Sequence, residues 1–162
     1  MADDLNSLAV ELGESLKDRQ MMMTAAESCT GGWVAKVITD IPGSSHWFER
    51  GFVTYTNDSK QEMLGVAAQT LAQFGAVSLE TVTEMALGAI KHSHARVAVA
   101  ISGIAGPGGG SDDKPVGTVC LAWAGLAEPN SCRRQFGGDR EAVRRQAVAA
   151  ALAGLIEYLQ NG

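Results

Sequence analysis

Leu5, Leu8, Ala9, Leu12 and Leu16 recur at intervals of three and four, a spacing that predicts an amphipathic helix of about four turns. Met21 to Ala26 is instead a short continuous apolar run, the pattern of a buried strand. It ends in Glu27-Ser28-Cys29-Thr30-Gly31-Gly32, after which Trp33, Val34, Val37 and Ile38 restore helical spacing, with Thr30 placed to cap that helix. Pro42-Gly43-Ser44-Ser45 marks a turn. Gly51 to Thr56 is rich in aromatic and β-branched residues and predicts a second strand. A helical turn, Ser59 to Leu64, follows it, with Asn57 or Asp58 available as cap.

Ser78 precedes a longer helix whose apolar face is Val82, Met85, Ala86, Ala89 and Ile90. Arg96 to Ser102 contains Val-Ala-Val-Ala-Ile and predicts a third strand, central in a sheet covered on both faces. The glycine-rich segment Gly103 to Pro115 predicts a flexible loop, and connections of that length are functional or disordered. Two further strands, Gly117 to Ala124 and Ser131 to Phe136, adjoin across a turn containing Pro129 and Asn130. Asp139 caps a final helix from Arg140 to about Leu159. No repeat or linker divides the chain, so residues 1–162 are expected to form one domain. Helices that alternate with strands and then give way to an adjacent strand pair predict a three-layer α/β/α sandwich on a mixed sheet of about five strands.

Composition removes several classes of function. A chain of 162 residues with 46% hydrophobic side chains buries a core without a disulfide or metal staple. The 18 acidic residues exceed the 13 basic ones for a net charge of -5, which disfavours nucleic acid as a partner. Cys29, Cys120 and Cys132 are odd in number and form no CxxC pair, against a disulfide framework or thiolate zinc site and for a reducing compartment. No basic segment followed by an apolar core opens the chain, and the longest apolar run, Ala147 to Ile156, is far short of the ~20 residues that span a bilayer. A soluble, cytoplasmic protein without a membrane partner is expected.

The first candidate for chemistry is Ser28, between a strand end and a helix start, where backbone N–H groups and the helix dipole favour negative charge. Spacing alone leaves open whether Ser28 and Thr30 are reactive or merely shape the turn. The surroundings match no nucleophile elbow, P-loop or dinucleotide fingerprint. His92-Ser93-His94 closes a helix with no third ligand nearby, so no metal site is expected.

A serine nucleophile needs a base, and the three histidines are badly placed. A lysine serves if burial draws its pKa down from about 10.4 toward neutrality. Among five lysines, Lys60 follows the second strand at the same sheet end as Ser28, and Tyr55 ends that strand, where it can share a proton relay. An exposed lysine at a helix start remains the alternative. Ser111 and Lys114 also form a Ser-x-x-Lys, but inside the glycine-rich loop. Gly137-Gly138-Asp139-Arg140 opens the last helix as a candidate anion site, with Arg140 able to grip phosphate. Arg144 or Arg145 reads as solvated helix face.

Four segments in order resemble the CinA C-terminal domain family: Ala26 to Gly32; Gly51 to Tyr55 with Asn57 and Lys60; Ser102 to Pro107 with Lys114-Pro115-Val116-Gly117-Thr118; and Gly138-Asp139-Arg140. The resemblance runs over nearly the whole chain. It implies deamidation of nicotinamide mononucleotide to nicotinate mononucleotide and ammonia in pyridine-nucleotide recycling, without a cofactor, by a homodimer of similar fold. It implies Ser28 as the nucleophile that forms an acyl-enzyme, Lys60 as general base, and Tyr55 as an assistant in proton transfer. Residues matching the glycine-rich and Gly-Asp-Arg motifs would hold the ribose phosphate and shape the pocket: Thr30, Gly31, Gly32, Ser102, Gly103, Gly106 and Arg140. The alternatives are a non-catalytic nucleotide-binding or regulatory module of the same fold, and hydrolysis through Cys29.

Overall fold

The computed structural model describes residues 2–162, with side chains from Asp4 onward. The order is α1 (Ala2–Asp18), β1 (Met23–Glu27), α2 (Trp33–Thr39), a 3-10 turn (Ser44–His46), β2 (Phe48–Val53), α3 (Asn57–Leu64), α4 (Ala68–Phe74), α5 (Leu79–Lys91), β3 (Val97–Gly103), β4 (Thr118–Ala124), β5 (Asn130–Gln135) and α6 (Arg140–Asn161). The strands form one mixed sheet in the order β2-β1-β3-β4-β5. β1 runs parallel to β2 and β3, while β4 and β5 add antiparallel.

Side-chain alternation on the central strands divides the core in two. Val97, Val99 and Ile101 of β3, with Val119, Leu121 and Trp123 of β4, join the core under α1, α2 and α6. Their alternates Ala98, Ala100, Cys120, Ala122 and Ala124 face the layer of α3, α4 and α5. Small side chains on that face let α5 sit close to the sheet. Within that layer, a Cβ on Gly88 would fall 1.9 Å from the carbonyl oxygen of Leu64. The result is the three-layer sandwich that the pattern predicts.

Several local expectations need correction. Thr30 does not cap α2. Gly32 is the N-cap at φ +99°, and Thr30 instead donates its hydroxyl to Glu27. Thr56, rather than Asn57 or Asp58, caps α3 in a reciprocal pair with Ser59. β2 begins at Phe48, three residues before Gly51, and as an edge strand it carries the half-buried Glu49 and exposed Arg50 there. Helix α4 has no counterpart in the pattern, because Ala67 supplies no side-chain cap and Leu71 is its only buried residue. The caps at Ser78 and Asp139 are present, accepting from Thr81 N and Ala142 N. The segment 103–115 is fastened to its neighbours: Lys114 Nζ donates to Phe74 O, Arg133 Nη2 to Asp113 O, and Arg140 Nη1 to Gly106 O.

Candidate active site

The parallel strands β1, β2 and β3 end on one side of the sheet, where the chain leaves β1 for α2 on one face and β2 for α3 on the other. In open α/β sheets that is where ligands bind. Successive side chains at the end of β1 go to opposite layers. Glu27 turns toward α2 and Ser28 toward α3.

Glu27 is 1% exposed, yet it has four donors: Thr30 Oγ1, Gly32 N and Val34 N on Oε1, and Ala35 N on Oε2. Its carboxylate thus satisfies the free N–H groups of Gly32, Val34 and Ala35 at the start of α2, which are therefore not open to an anion at Ser28. Glu27→Ala is expected to lower stability by about 3 kcal/mol or more, because it leaves buried main-chain donors unmet. Denaturant midpoints will measure the loss, and Glu27→Gln should lose less.

Ser28 and Lys60 meet across the other face. Lys60 Nζ lies 2.9 Å from Ser28 Oγ and donates to the carbonyl of Thr54 at 3.0 Å and of Tyr55 at 3.5 Å. The side chain is 1% exposed, and burial pulls its pKa below the ordinary lysine value. Once neutral, the amine can keep two hydrogens on the two carbonyls and offer its lone pair to the Ser28 hydroxyl. This is a nucleophile–base arrangement within hydrogen-bond reach. The Ser111–Lys114 pair has no such geometry, since Lys114 Nζ is spent on Phe74 O.

A cavity of about 160 Å³ opens above the pair, and Ser28, Tyr55, Lys60, Ser102, Gly103 and Arg140 line it. Of the sequence candidates, Thr30, Gly31, Gly32 and Gly106 lie outside the lining. Thr30 is held by Glu27, Gly31 and Gly32 turn the chain at φ +61° and +99°, and Gly106 supplies its carbonyl to Arg140. Asn57, Ala76, Val77 and Ala105 join the wall. Asn57 stood in the family-like segment, whereas Ala76 and Val77 carried no chemical signal.

Tyr55 is 60% exposed at the mouth, and its hydroxyl accepts from Arg140 Nη2 at 3.0 Å. Its carbonyl accepts from Lys60 Nζ at 3.5 Å, and the hydroxyl makes its hydrogen bond with Arg140. Arg140 crosses the mouth between Tyr55 and Gly106. At the N-terminus of α6, Asp139 Oδ1 accepts from Ala142 N at 2.9 Å, taking up one of the free donors of that turn.

Cys29 borders the cavity but packs with the α1–α2–α6 core at 5% exposure. Burial pushes its thiol pKa up, with Arg144 and Arg140 partly opposing that rise. A thiol held in its neutral form is a poor nucleophile. Arg144 is not the solvated residue expected from spacing. Its Nε and Nη2 donate to Cys29 O and Thr30 O, each at 3.2 Å. A larger groove of about 600 Å³ runs between α6 and β5 and contains none of the candidate catalytic residues.

The fold and this edge define an α/β protein with a buried serine–lysine pair where its parallel strands end. The CinA C-terminal domain model matches residues 5–159, and the chain belongs to that family. It is 59% identical over 160 residues to nicotinamide-nucleotide amidohydrolase PncC of Escherichia coli, covering 98% of this chain and 97% of that protein. The amidohydrolase of the same name from Pseudomonas putida is 56% identical over 155 residues, covering 96% and 97%. Among solved structures, a competence/damage-inducible protein of Agrobacterium tumefaciens superposes with a TM-score of 0.93 at 46% identity, over 97% of this chain and 96% of that one. A CinA-superfamily protein of Klebsiella pneumoniae gives 0.94 at 39% identity, over 98% and 99%.

Proposed function

We propose that this chain is a nicotinamide-nucleotide amidohydrolase that converts nicotinamide mononucleotide to nicotinate mononucleotide and ammonia through a serine acyl-enzyme. The observation that carries the mechanism is the buried Lys60 Nζ 2.9 Å from Ser28 Oγ, beneath an open cavity. Identity of 56–59% to amidohydrolases of that name, over nearly their full length, supports the substrate.

Lys60 takes the Ser28 proton as Oγ bonds to the carboxamide carbon, and the C=O π pair moves onto its oxygen. Collapse re-forms the carbonyl and breaks the C–N bond, with the Lys60 proton leaving on ammonia. Water then adds to the ester, giving a proton to Lys60. Breaking the ester bond releases nicotinate mononucleotide, whose new carboxylic acid sheds its proton to solvent, and the Lys60 proton returns to Ser28 Oγ. The cavity is smaller than the roughly 300–1,000 Å³ of sites that enclose a whole drug-sized ligand. It therefore takes the pyridine carboxamide, and the ribose phosphate lies at the mouth beside Arg140.

Arg140 uses two of its donors on Gly106 O and Tyr55 Oη and has others to offer a phosphate. Arg140→Ala is expected to raise KM for nicotinamide mononucleotide about 10-fold or more, and for the phosphate-free riboside much less. Steady-state ammonia release from the two substrates makes the comparison, and equal effects remove the phosphate role. The reading places the reaction in cytoplasmic pyridine-nucleotide recycling, in line with three unpaired thiols. Ammonia assay across pyridine nucleotides, with free nicotinamide as control, tests the function. Nucleotide binding without ammonia release would favour the non-catalytic module.

A further inference from the structure

A second hydroxyl reaches the cavity from β3. Ala98 and Ala100 point to the layer of α3, α4 and α5, and Ser102 continues that alternation, paired in register with Cys120 of the same face. On β1, Ala26 and then Ser28 point the same way. Glu27 is in register with Ile101, and Ser28 N donates to Ile101 O at 3.0 Å, so Ser28 and Ser102 stand side by side on adjacent parallel strands. Such strands are about 4.8 Å apart. Both side chains line the cavity.

Ser102 is 1% exposed, and its hydroxyl has no hydrogen-bond partner among the described residues. Thr54 Oγ1 also lacks a partner, but it is sealed off and its residue does not line the cavity. A hydroxyl withdrawn from bulk water without a partner is costly, and a ligand that pairs with it relieves the cost. The sheet order β2-β1-β3 decides which part of the ligand that is. Ser28 stands between Lys60, whose Nζ is tied to the carbonyls of Thr54 and Tyr55 just past β2, and Ser102 on β3. Lys60 must hand its proton to the leaving nitrogen, which therefore lies on the β2 flank. The carboxamide oxygen is turned to the other flank, toward Ser102.

We infer that Ser102 is a further catalytic residue, its Oγ–H donating to the carboxamide oxygen as Ser28 Oγ bonds to the carbon. The inference rests on the serine reading. In that step the C=O π pair moves onto the oxygen and the Ser28 proton passes to Lys60. Ser102 keeps its own proton, and its hydrogen bond strengthens as charge develops on the oxygen. The main-chain N–H groups of Cys29 and Ala105 border the same cavity and can add to the cradle, and every side-chain variant retains them. The Asn57 amide also belongs to the lining, but that residue is exposed, so water already satisfies it. Ser102 stands apart as the buried, unpaired hydroxyl beside the nucleophile.

The test compares wild type, Ser102→Ala, Asn57→Ala and Ser28→Ala. It reads kcat for nicotinamide mononucleotide and Kd for two pyridine nucleotides, one with an aldehyde in place of the carboxamide and one with hydrogen there. Addition of Ser28 turns the aldehyde into a tetrahedral hemiacetal, whereas the second nucleotide offers no oxygen to Ser102. Ser102→Ala should lower kcat about 10²-fold and weaken the aldehyde by a comparable factor. Affinity for the nucleotide without the carboxamide should stay at the wild-type value, and so should the melting temperature, because the deleted oxygen has no partner in the fold. Unchanged kcat and aldehyde affinity in Ser102→Ala overturn the inference, since the remaining donors then suffice. A loss shared equally by the nucleotide without the carboxamide overturns it too, marking a merely structural role. So does the paired loss of kcat and aldehyde affinity appearing in Asn57→Ala and not in Ser102→Ala. Full turnover by Ser28→Ala sinks the serine reading itself, and the Ser102 inference falls with it; an inactive Ser28→Ala beside an unimpaired Ser102→Ala overturns the inference alone.

Discussion

Ser28→Ala should abolish ammonia release from nicotinamide mononucleotide, by about 10³-fold or more, while nucleotide affinity and melting temperature stay close to wild type. The expectation follows from geometry: Ser28 Oγ is the hydroxyl that Lys60 Nζ touches, and it lines the cavity. Removing one oxygen leaves Lys60 with both carbonyl partners, so the fold has little to lose. Cys29→Ala is the matched control and should keep near-normal kcat, because that side chain packs into the core behind the loop. Rapid quench with mass spectrometry should find the nicotinoyl group, with its ribose phosphate still attached, esterified on the peptide containing Ser28. A dead Cys29→Ala beside an active Ser28→Ala would reverse the assignment.

Lys60→Met should lower kcat by about 10²–10⁴-fold, the usual range for losing a general base, with nucleotide binding largely retained. The pH dependence has a definite sign. Burial depresses the folded pKa of Lys60 below 10.5, so wild-type kcat/KM should rise with pH as Nζ loses its proton, at a midpoint below that value. Between the folded and unfolded values the unfolded chain holds more protons, so stability grows as pH rises through that window. The contribution is complete above 10.5 and is lost as pH falls through the folded value. Lys60→Met removes that slope. Parallel melts of the two proteins over alkaline pH, with pH–rate profiles of wild type, make the measurement; a wild-type rate flat across the range would return Lys60 to a structural role.

The sheet and its layers were legible because alternation is local. Val97 to Ile101 announces a strand buried on both faces, and Ser78 and Asp139 announce their helices by one hydrogen bond each. Ser28 was legible from its place between strand and helix. Lys60 was not separable from the other lysines by spacing, since its burial depends on how α3 returns over the strand ends. Glu27 escaped notice because three of its four partners are main-chain N–H groups, which no side-chain pattern records. Arg144 escaped for a related reason. Its partners are carbonyls more than a hundred positions away, and its own helix is apolar around much of its circumference.

The fastenings of segment 103–115 are cationic side chains donating to neutral carbonyl oxygens, at Phe74, Asp113 and Gly106. Mobile counter-ions weaken attraction between exposed opposite charges, with a Debye length of about 8 Å at physiological ionic strength, and they have far less grip on a bond to an uncharged acceptor. The segment should therefore hold its shape from dilute buffer to molar salt. Any decline in nucleotide affinity along that series then reports competition for the phosphate at Arg140, not slackening of the wall beside it.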